Sequence, residues 1–261
     1  MIDGEIANSL SSLKPIGLNE IETVKLMNRV ETKYVFSVRK LDDLINLMNG
    51  SYKVLEIENL RTFPYMTTYL DTPGYLFFNQ HVRGEYERHK IRYRKYESSG
   101  TSYLEIKKKT NKRRTIKQRI KNNLTSGYFD EPATNFIREY LPVNLMLLKP
   151  VLINHFTRAT LIGLESKERI TIDFNISFSD LAGSSQVAMP YLAIAELKNE
   201  SYSMSSPFIS LIKHLNIYPT GFSKYCIGNA ILNNMLRINM IKPKLLLLNK
   251  IENEYDISYN S

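Results

Sequence analysis

Polar and apolar residues alternate along several segments of this chain, as they do in strands that are buried on one side. The alternating segments are 29–34, 90–94, 103–109, 115–121, 169–174 and 195–198. In segment 103–109, Glu105, Lys107 and Lys109 share one face, whereas Leu104 and Ile106 share the other. The pattern therefore predicts an antiparallel sheet with one apolar face and one densely charged face.

Helical spacing of apolar residues marks fewer segments. Residues 41–48 have apolar side chains at 41, 44, 45, 47 and 48, and two aspartates in the first turn, which favours a short amphipathic helix. Further helices are predicted over 134–140, 207–215 and 226–240. Because no linker or repeat interrupts this order, we expect one α+β domain over residues 1–261, with its core at about 20–240.

The net charge of +9 is concentrated in one part of the chain. Residues 83–121 contain fifteen Lys/Arg and four Asp/Glu, whereas the remainder contains twenty basic and twenty-two acidic residues. Such a concentration of cations predicts a polyanionic partner.

Lysines and arginines occupy alternate positions on these strands, and a carboxylate precedes a lysine by two residues at Glu31, Glu105 and Glu196. Each strand taken alone is typical of an ordinary solvated sheet face. Rows of like charge across neighbouring strands repel each other, however, unless a bound polyanion neutralises them. A sheet closed into a barrel with these faces inward would form a basic tunnel, with helices covering the apolar faces outside.

Several classes of protein are disfavoured by the sequence. Cys226 is the only cysteine, and the four histidines have no metal-ligand spacing. The glycines form neither a Walker A nor a dinucleotide-binding motif. We see no targeting segment and no transmembrane segment, so we expect a cytoplasmic protein.

The charged strands resemble those of the VTC domain, the catalytic module of polyphosphate polymerases within the CYTH-like triphosphate tunnel metalloenzymes. The resemblance follows family order from residue 29 to residue 225. The matching pieces are Arg29-x-Glu31-x-Lys33-Tyr34, Thr68-Tyr69-Leu70-Asp71-Thr72, Arg92-x-Arg94-x-Tyr96, Glu105-x-Lys107, Lys117-x-Arg119, Phe156-Thr157-Arg158, Arg169-x-Thr171-x-Asp173, Glu196-x-Lys198 and Ser223-Lys224-Tyr225.

This resemblance implies an antiparallel β-barrel tunnel with a charged interior and flanking helices, and an ATP:polyphosphate phosphotransferase activity. ATP and inorganic polyphosphate are the implied partners, and a divalent metal, Mn²⁺ or Mg²⁺, is the implied cofactor. The implied catalytic residues are Lys33, Arg92, Arg94, Lys107, Lys117, Arg119, Arg158, Arg169, Lys198 and Lys224. The implied substrate-binding residues are Arg29, Tyr34, Phe156 and Ser223. The implied metal ligands are Glu196, Glu31 and Glu105, and Asp173 joins them or orients an arginine.

Two positions depart from patterns in this superfamily. Arg29 replaces the first glutamate of the Glu-x-Glu-x-Lys motif of the triphosphatases and cyclases, which is similar to the polymerase branch. Phe156 replaces a tyrosine of the polymerase pattern, so a hydroxyl contact is lost there.

Two other functions stay open at this point. One is a metal-dependent hydrolase of triphosphate or polyphosphate in the same tunnel. The other is a non-catalytic module that binds polyphosphate or RNA, although no nucleic acid is expected because aromatic residues mix with the apolar faces. Any translocation of a product across a membrane would need a separate membrane-protein partner.

Overall fold

A computed structural model describes residues 2–23, 30–111, 115–123, 129–199 and 206–257 of the chain. Strands dominate these residues and join into one sheet. The strands are β1 (Lys14–Ile16), β2 (Val30–Ser37), β3 (Tyr52–Leu55), β4 (Phe63–Asp71), β5 (Arg88–Tyr96), β6 (Ser102–Lys109), β7 (Thr115–Lys121), β8 (Lys149–Gly163), β9 (Glu168–Ser179), β10 (Gln186–Met189) and β11 (Leu192–Asn199).

The helices are α1 (Ile2–Ser11), α2 (Leu18–Thr23), α3 (Leu41–Met48), α4 (Leu76–Val82), α5 (Glu131–Tyr140), α6 (Pro207–His214), α7 (Lys224–Leu232) and α8 (Lys242–Ile257). Short 3-10 turns lie at Val38–Lys40 and Leu145–Leu147. Three helices begin at a side-chain cap, in which Asp130, Ser206 or Ser223 accepts a hydrogen bond from a backbone N–H of the first turn. Within the described ranges, no helix is both long and apolar enough to cross a membrane.

The helix predicted over 41–48 is confirmed, but the one predicted over 226–240 is wrong in extent. Helix α7 ends at Leu232, and the chain then turns before a separate helix, α8. Asn233 makes this turn, because its side chain accepts a hydrogen bond from the backbone N–H of Met235 at 3.0 Å.

The sheet follows the order β2-β11-β9-β8-β4-β5-β6-β7, and every pair on this path is antiparallel. No ladder between described residues joins β2 to β7, so the wall is a curled half-barrel. The two ends of the sheet nevertheless approach one another, since Lys107 on β6, the strand next to the edge, interacts electrostatically with Glu31 on β2. The predicted α+β class and the antiparallel charged sheet are confirmed.

The apolar face of the sheet is covered by helices on the convex side. Helices α1, α3 and α6 contribute to a buried cluster that includes Phe36, Ile172 and Leu197. Helix α5 packs on β6 through Ala133 and Ile137, next to Leu104. The charged residues between these apolar positions therefore point to the concave side.

Helices α7 and α8 lie against the concave side. In α7, a β-carbon placed on Gly228 would lie 2.5 Å from Phe178 and 2.7 Å from Leu152, so the helix contacts β8 and β9 very closely. Helix α8 packs on β2 and β11, with Leu248 and Ile251 buried. One end of the concave face is therefore closed by helices, and the start of α7 is held among the charged residues.

Candidate functional site

Three rows of side chains cross β5, β6 and β7 on the concave face. The strand register places Lys90, Lys107 and Lys117 in the first row, Arg92, Glu105 and Arg119 in the second, and Arg94, Tyr103 and Lys121 in the third. Residues directly opposite in a sheet lie within side-chain contact distance. These rows therefore concentrate cations with a single carboxylate among them.

Glu105 is that carboxylate, and its side chain is fully buried. Arg92 donates to Oε2 from Nε at 2.8 Å and from Nη2 at 2.6 Å, while Lys117 forms an ion pair with Oε1. Burial alone would raise the pKa of Glu105, but Arg92, Arg94 and Lys117 outweigh it and hold the pKa well below its usual range. Glu105 therefore stays ionised and fixes the orientation of Arg92.

A second cluster forms where the start of α7 meets the sheet. Arg158 donates to both oxygens of Asp173, at 2.5 and 2.8 Å, and Lys224 forms an ion pair with the same carboxylate. Burial lowers the pKa of Lys224 to about 7, although Asp173 opposes this shift. Asp173 thus orients two cations from different elements.

Aromatic rings lie beside this cluster. Phe156 stacks on Tyr65, with 5.3 Å between ring centroids and an interplanar angle of 3°. The Lys224 ammonium lies 3.7 Å from the Phe156 centroid, and the Arg94 guanidinium lies 5.8 Å from it. Arg94 is only 9% exposed, and its Nε has no hydrogen-bond partner. Phe156 therefore packs among cations without a hydroxyl group to offer them.

A third cluster joins β11 and β2. Lys198 lies 2.7 Å from Oε1 of Glu196, and Lys33 lies 3.5 Å from Oε2. Burial opposes ionisation of Glu196, but Lys198, Lys33 and Lys107 hold its pKa well below the usual range. Lys33 also donates to the carbonyl of Phe222 at 3.0 Å, so the segment before α7 is tied to this wall.

The strand register and these contacts bring most of the predicted site residues onto one face. They are Glu31, Lys33, Arg92, Arg94, Glu105, Lys107, Lys117, Arg119, Phe156, Arg158, Arg169, Glu196, Lys198, Ser223 and Lys224. Arg29 lies outside the described residues.

The structure does not bring Tyr34 to this face. Its side chain is buried on the convex side of β2, where its ring meets Phe208 edge-on at 5.6 Å. The reason is strand parity, because Tyr34 follows Lys33 directly and points to the opposite side of the sheet.

Lys90 belongs to the site but is absent from the residues predicted for it. Its ammonium donates to Oγ of Ser223, the cap of α7, at 3.0 Å. Burial lowers its pKa to about 8, and the neighbouring cations Lys33, Arg92 and Arg88 add to that shift. The position was visible in the sequence, since Lys90 shares its strand face with Arg92 and Arg94.

The three predicted metal ligands differ in what they can still bind. Among described residues, no group of three or more His, Cys, Asp or Glu side chains is placed to hold an ion. Magnesium and manganese sites often need only one or two carboxylates together with substrate phosphates. Glu196 and Glu31 lie on neighbouring strands, each opposite a lysine, and fit that arrangement. Lysines also contact both oxygens of Glu196, but its side chain is 16% exposed, whereas Glu105 is fully buried and fits a metal site less well.

The chain is similar to one protein family and to several solved structures. The model of the VTC domain matches residues 28–233. A candidate adenylate cyclase from Vibrio parahaemolyticus is 14% identical, with a TM-score of 0.45, and the similarity covers 76% of this chain and 95% of the other. One from Bacillus halodurans is 15% identical, with a TM-score of 0.47, over 76% and 94% of the two chains.

An adenylyl cyclase candidate from Hippeastrum, described as having a dominant triphosphatase activity, is 11% identical. Its TM-score is 0.49, and the similarity covers 82% of this chain and 99% of the other. At such identities and scores, these structures carry no argument about activity. No curated protein sequence matches this chain.

Proposed function

The chain belongs to the VTC domain family, and from that premise we propose that it is an ATP-dependent polyphosphate polymerase. Family membership relates its function to polyphosphate and triphosphates. The finer proposal is that it transfers the γ-phosphate of ATP to a growing polyphosphate chain on the concave face. The observation that carries this proposal is the excess of partly or fully buried lysines and arginines over carboxylates on that face.

Arg94 illustrates why this face suits a phosphate chain. It is a buried cation whose Nε has no partner, and it lies among other cations of β5 and β8. Burying a donor without a hydrogen-bond partner is costly, so a phosphate oxygen that accepts from Nε of Arg94 would remove a cost that the protein already bears. Arg158 is held in a fixed orientation by Asp173, so it needs little rearrangement to meet a second anion.

In the proposed reaction, a terminal phosphate oxygen of the chain attacks the γ-phosphorus of ATP. A new P–O bond forms, the bond to the β,γ-bridging oxygen breaks, and ADP leaves with that electron pair. The attacking phosphate is already ionised, so the protein needs no general base. Its contribution is to position the two phosphates and to neutralise the charge on the transferring group.

A divalent metal, when bound, would neutralise the phosphate oxygens further and help to align them. Glu196 and Glu31 are the side chains that we propose to hold it. Glu105 is proposed instead to keep Arg92 and Lys117 in place, since both ion pairs are buried.

The metal assignment predicts a specific defect. We expect Glu196→Gln to raise the Mn²⁺ or Mg²⁺ concentration needed for half-maximal activity by about tenfold, because a charged ligand becomes neutral. The matched control is Glu97→Gln, at an exposed position away from the site. An unchanged metal titration in Glu196→Gln would move the ligand role to Glu31 or Glu105.

Incubation of the protein with ATP and a divalent metal tests the proposal. We expect ADP and long polyphosphate, detected on a gel, in amounts that match each other. Free phosphate or tripolyphosphate in place of a polymer would contradict the polymerase and support a hydrolase. Binding of polyphosphate with no turnover of ATP would contradict both and support a binding module.

A further inference from the structure

A cavity of about 320 Å³ opens at one end of the concave face. It lies between β2 on one side and β5 and β6 on the other, and residues near α7 and α8 close it. Six cationic side chains line it: Lys33, Arg88, Lys90, Lys107, Lys109 and Lys244. Among its described lining residues, Glu31 is the only carboxylate.

The composition of the concave face changes along β5. The Tyr65–Tyr96 pair and the Arg94–Tyr103 pair lie towards one end of that strand. The pairs Lys90–Lys107 and Arg88–Lys109 lie at the other end, beside the cavity. A nucleobase is recognised largely through stacking on rings, whereas an inorganic phosphate chain has no ring and is recognised by cations and hydrogen-bond donors. The two ends are therefore chemically suited to different parts of the reactants.

We propose that Lys244 is a further phosphate-binding residue of this cavity, where it contacts the part of a phosphate chain that carries no nucleoside. The inference rests on the proposed function for the identity of the anion. It adds to that function a residue from outside the matched family region, beside Lys33 and Lys107 of the site described above.

Lys244 comes from α8, which lies beyond the matched residues 28–233. A β-carbon placed on Gly221 would lie 3.8 Å from its ammonium nitrogen, so the charge is held close to the segment before α7. Helix α8 is fixed in this position by the buried side chains of Leu248 and Ile251. Arg39 also donates to the carbonyl of Tyr255 at 2.9 Å and lies over its ring.

One polar group in the cavity, the ammonium of Lys90, is suited to an anionic ligand. Lys90 binds Ser223 through a single hydrogen bond of 3.0 Å, and an ammonium has three donors. A phosphate chain in the cavity could accept hydrogen bonds from Lys90 without breaking that contact.

Equilibrium binding of inorganic tripolyphosphate and of ATP tests the role of Lys244. We expect Lys244→Gln to weaken tripolyphosphate binding by about tenfold, and to weaken ATP binding less. The matched control is Lys250→Gln on the same helix, because Lys250 is exposed and lies outside the cavity. Equal effects of the two substitutions on tripolyphosphate binding would overturn the proposal.

Cys226 offers a direct test of where the chain binds. It is the only cysteine of the protein, and its side chain lines the cavity and is largely buried, 7% exposed. We expect saturating tripolyphosphate to slow its modification by N-ethylmaleimide, an uncharged reagent. If saturating tripolyphosphate leaves the labelling rate of Cys226 unchanged, the proposal is wrong. Protection of Cys226 in a protein that makes no polyphosphate would support the cavity site while contradicting the polymerase.

Discussion

At the scale of single residues, the cations of the concave face fall into two groups. Arg92 and Arg158 each donate two hydrogen bonds to one carboxylate, and these contacts fix their orientation. Arg94 is buried, and its Nε has no partner. The paired arginines are therefore suited to hold the site in shape, and Arg94 is suited to contact the substrate.

Arg94→Ala is expected to lower the turnover of ATP by about a hundredfold or more, since one donor to the transferring charge is lost. Stability should change little, because removing a cation from a like-charged cluster relieves repulsion. Steady-state kinetics and a thermal melt check both expectations. Lys95→Ala is the matched control, since Lys95 is the next residue of β5 and is exposed. Full activity in a folded Arg94→Ala protein would refute the site assignment. We expect Lys33→Ala to lose ATP turnover to the same extent.

The depressed pKa of Lys90 predicts a pH dependence of phosphate binding. Burial lowers this pKa to about 8, so the ammonium loses its proton as the pH rises through 8 and attraction to phosphate is lost. We expect tripolyphosphate affinity to fall between pH 7 and pH 9, with at most about a tenfold change per pH unit from this one group. Lys90→Arg should make the profile shallower, because arginine keeps its charge over this range. It should not abolish the pH dependence, since burial also lowers the pKa of Lys117 to about 8 and that of Lys224 to about 7. An identical profile in Lys90→Arg would assign the titration to another group.

At the scale of elements, α7 determines how the site is assembled. Its capping residue Ser223 binds Lys90 on β5, and its first residue Lys224 reaches Asp173 on β9. Tyr225 donates to the buried carboxylate of Asp71. One helix start therefore joins opposite walls of the curled sheet, and its position depends on the close approach at Gly228.

Gly228→Ala is expected to destabilise the protein by about 1–3 kcal/mol and to reduce activity. The added methyl group would meet Phe178 and Leu152 at distances shorter than van der Waals contact, so α7 would have to shift. Gly4→Ala in α1 is the control, because nothing lies within 4 Å of its added β-carbon. That substitution should be neutral or stabilise by about 0.5–1 kcal/mol. Denaturant melts compare the two variants, and equal stabilities would contradict the packing argument.

At the scale of the whole molecule, the curled sheet brings like charges from its two walls towards each other. Lysines of β2, β5 and β6 line one cavity, and the net charge of the chain is +9. The folded state therefore bears a repulsion that the more expanded unfolded chain largely avoids. A bound polyanion should relieve that repulsion.

Tripolyphosphate is accordingly expected to raise the melting temperature by several degrees. A ligand at about a hundred times its Kd contributes roughly 2.7 kcal/mol to stability. The shift should shrink as salt is added, because salt screens these charges. Differential scanning fluorimetry measures it, with sodium chloride at matched ionic strength as the control. An equal shift with the matched salt would show that no specific phosphate site is involved.

The sequence by itself determined which side chains share a face, because strand parity has a period of two and needs only local information. It thereby predicted the charged face and the antiparallel sheet, and the parity of β2 already placed Tyr34 opposite Lys33. The family came from the resemblance of the ordered motifs. Only the tertiary structure decided which cations are paired. Strand register places Glu105 on β6 beside Arg92 on β5 and Lys117 on β7, while the Nε of Arg94 stays without a partner. The packing of α7 and α8 likewise brings Lys224 and Lys244 to the site, which no local pattern encodes.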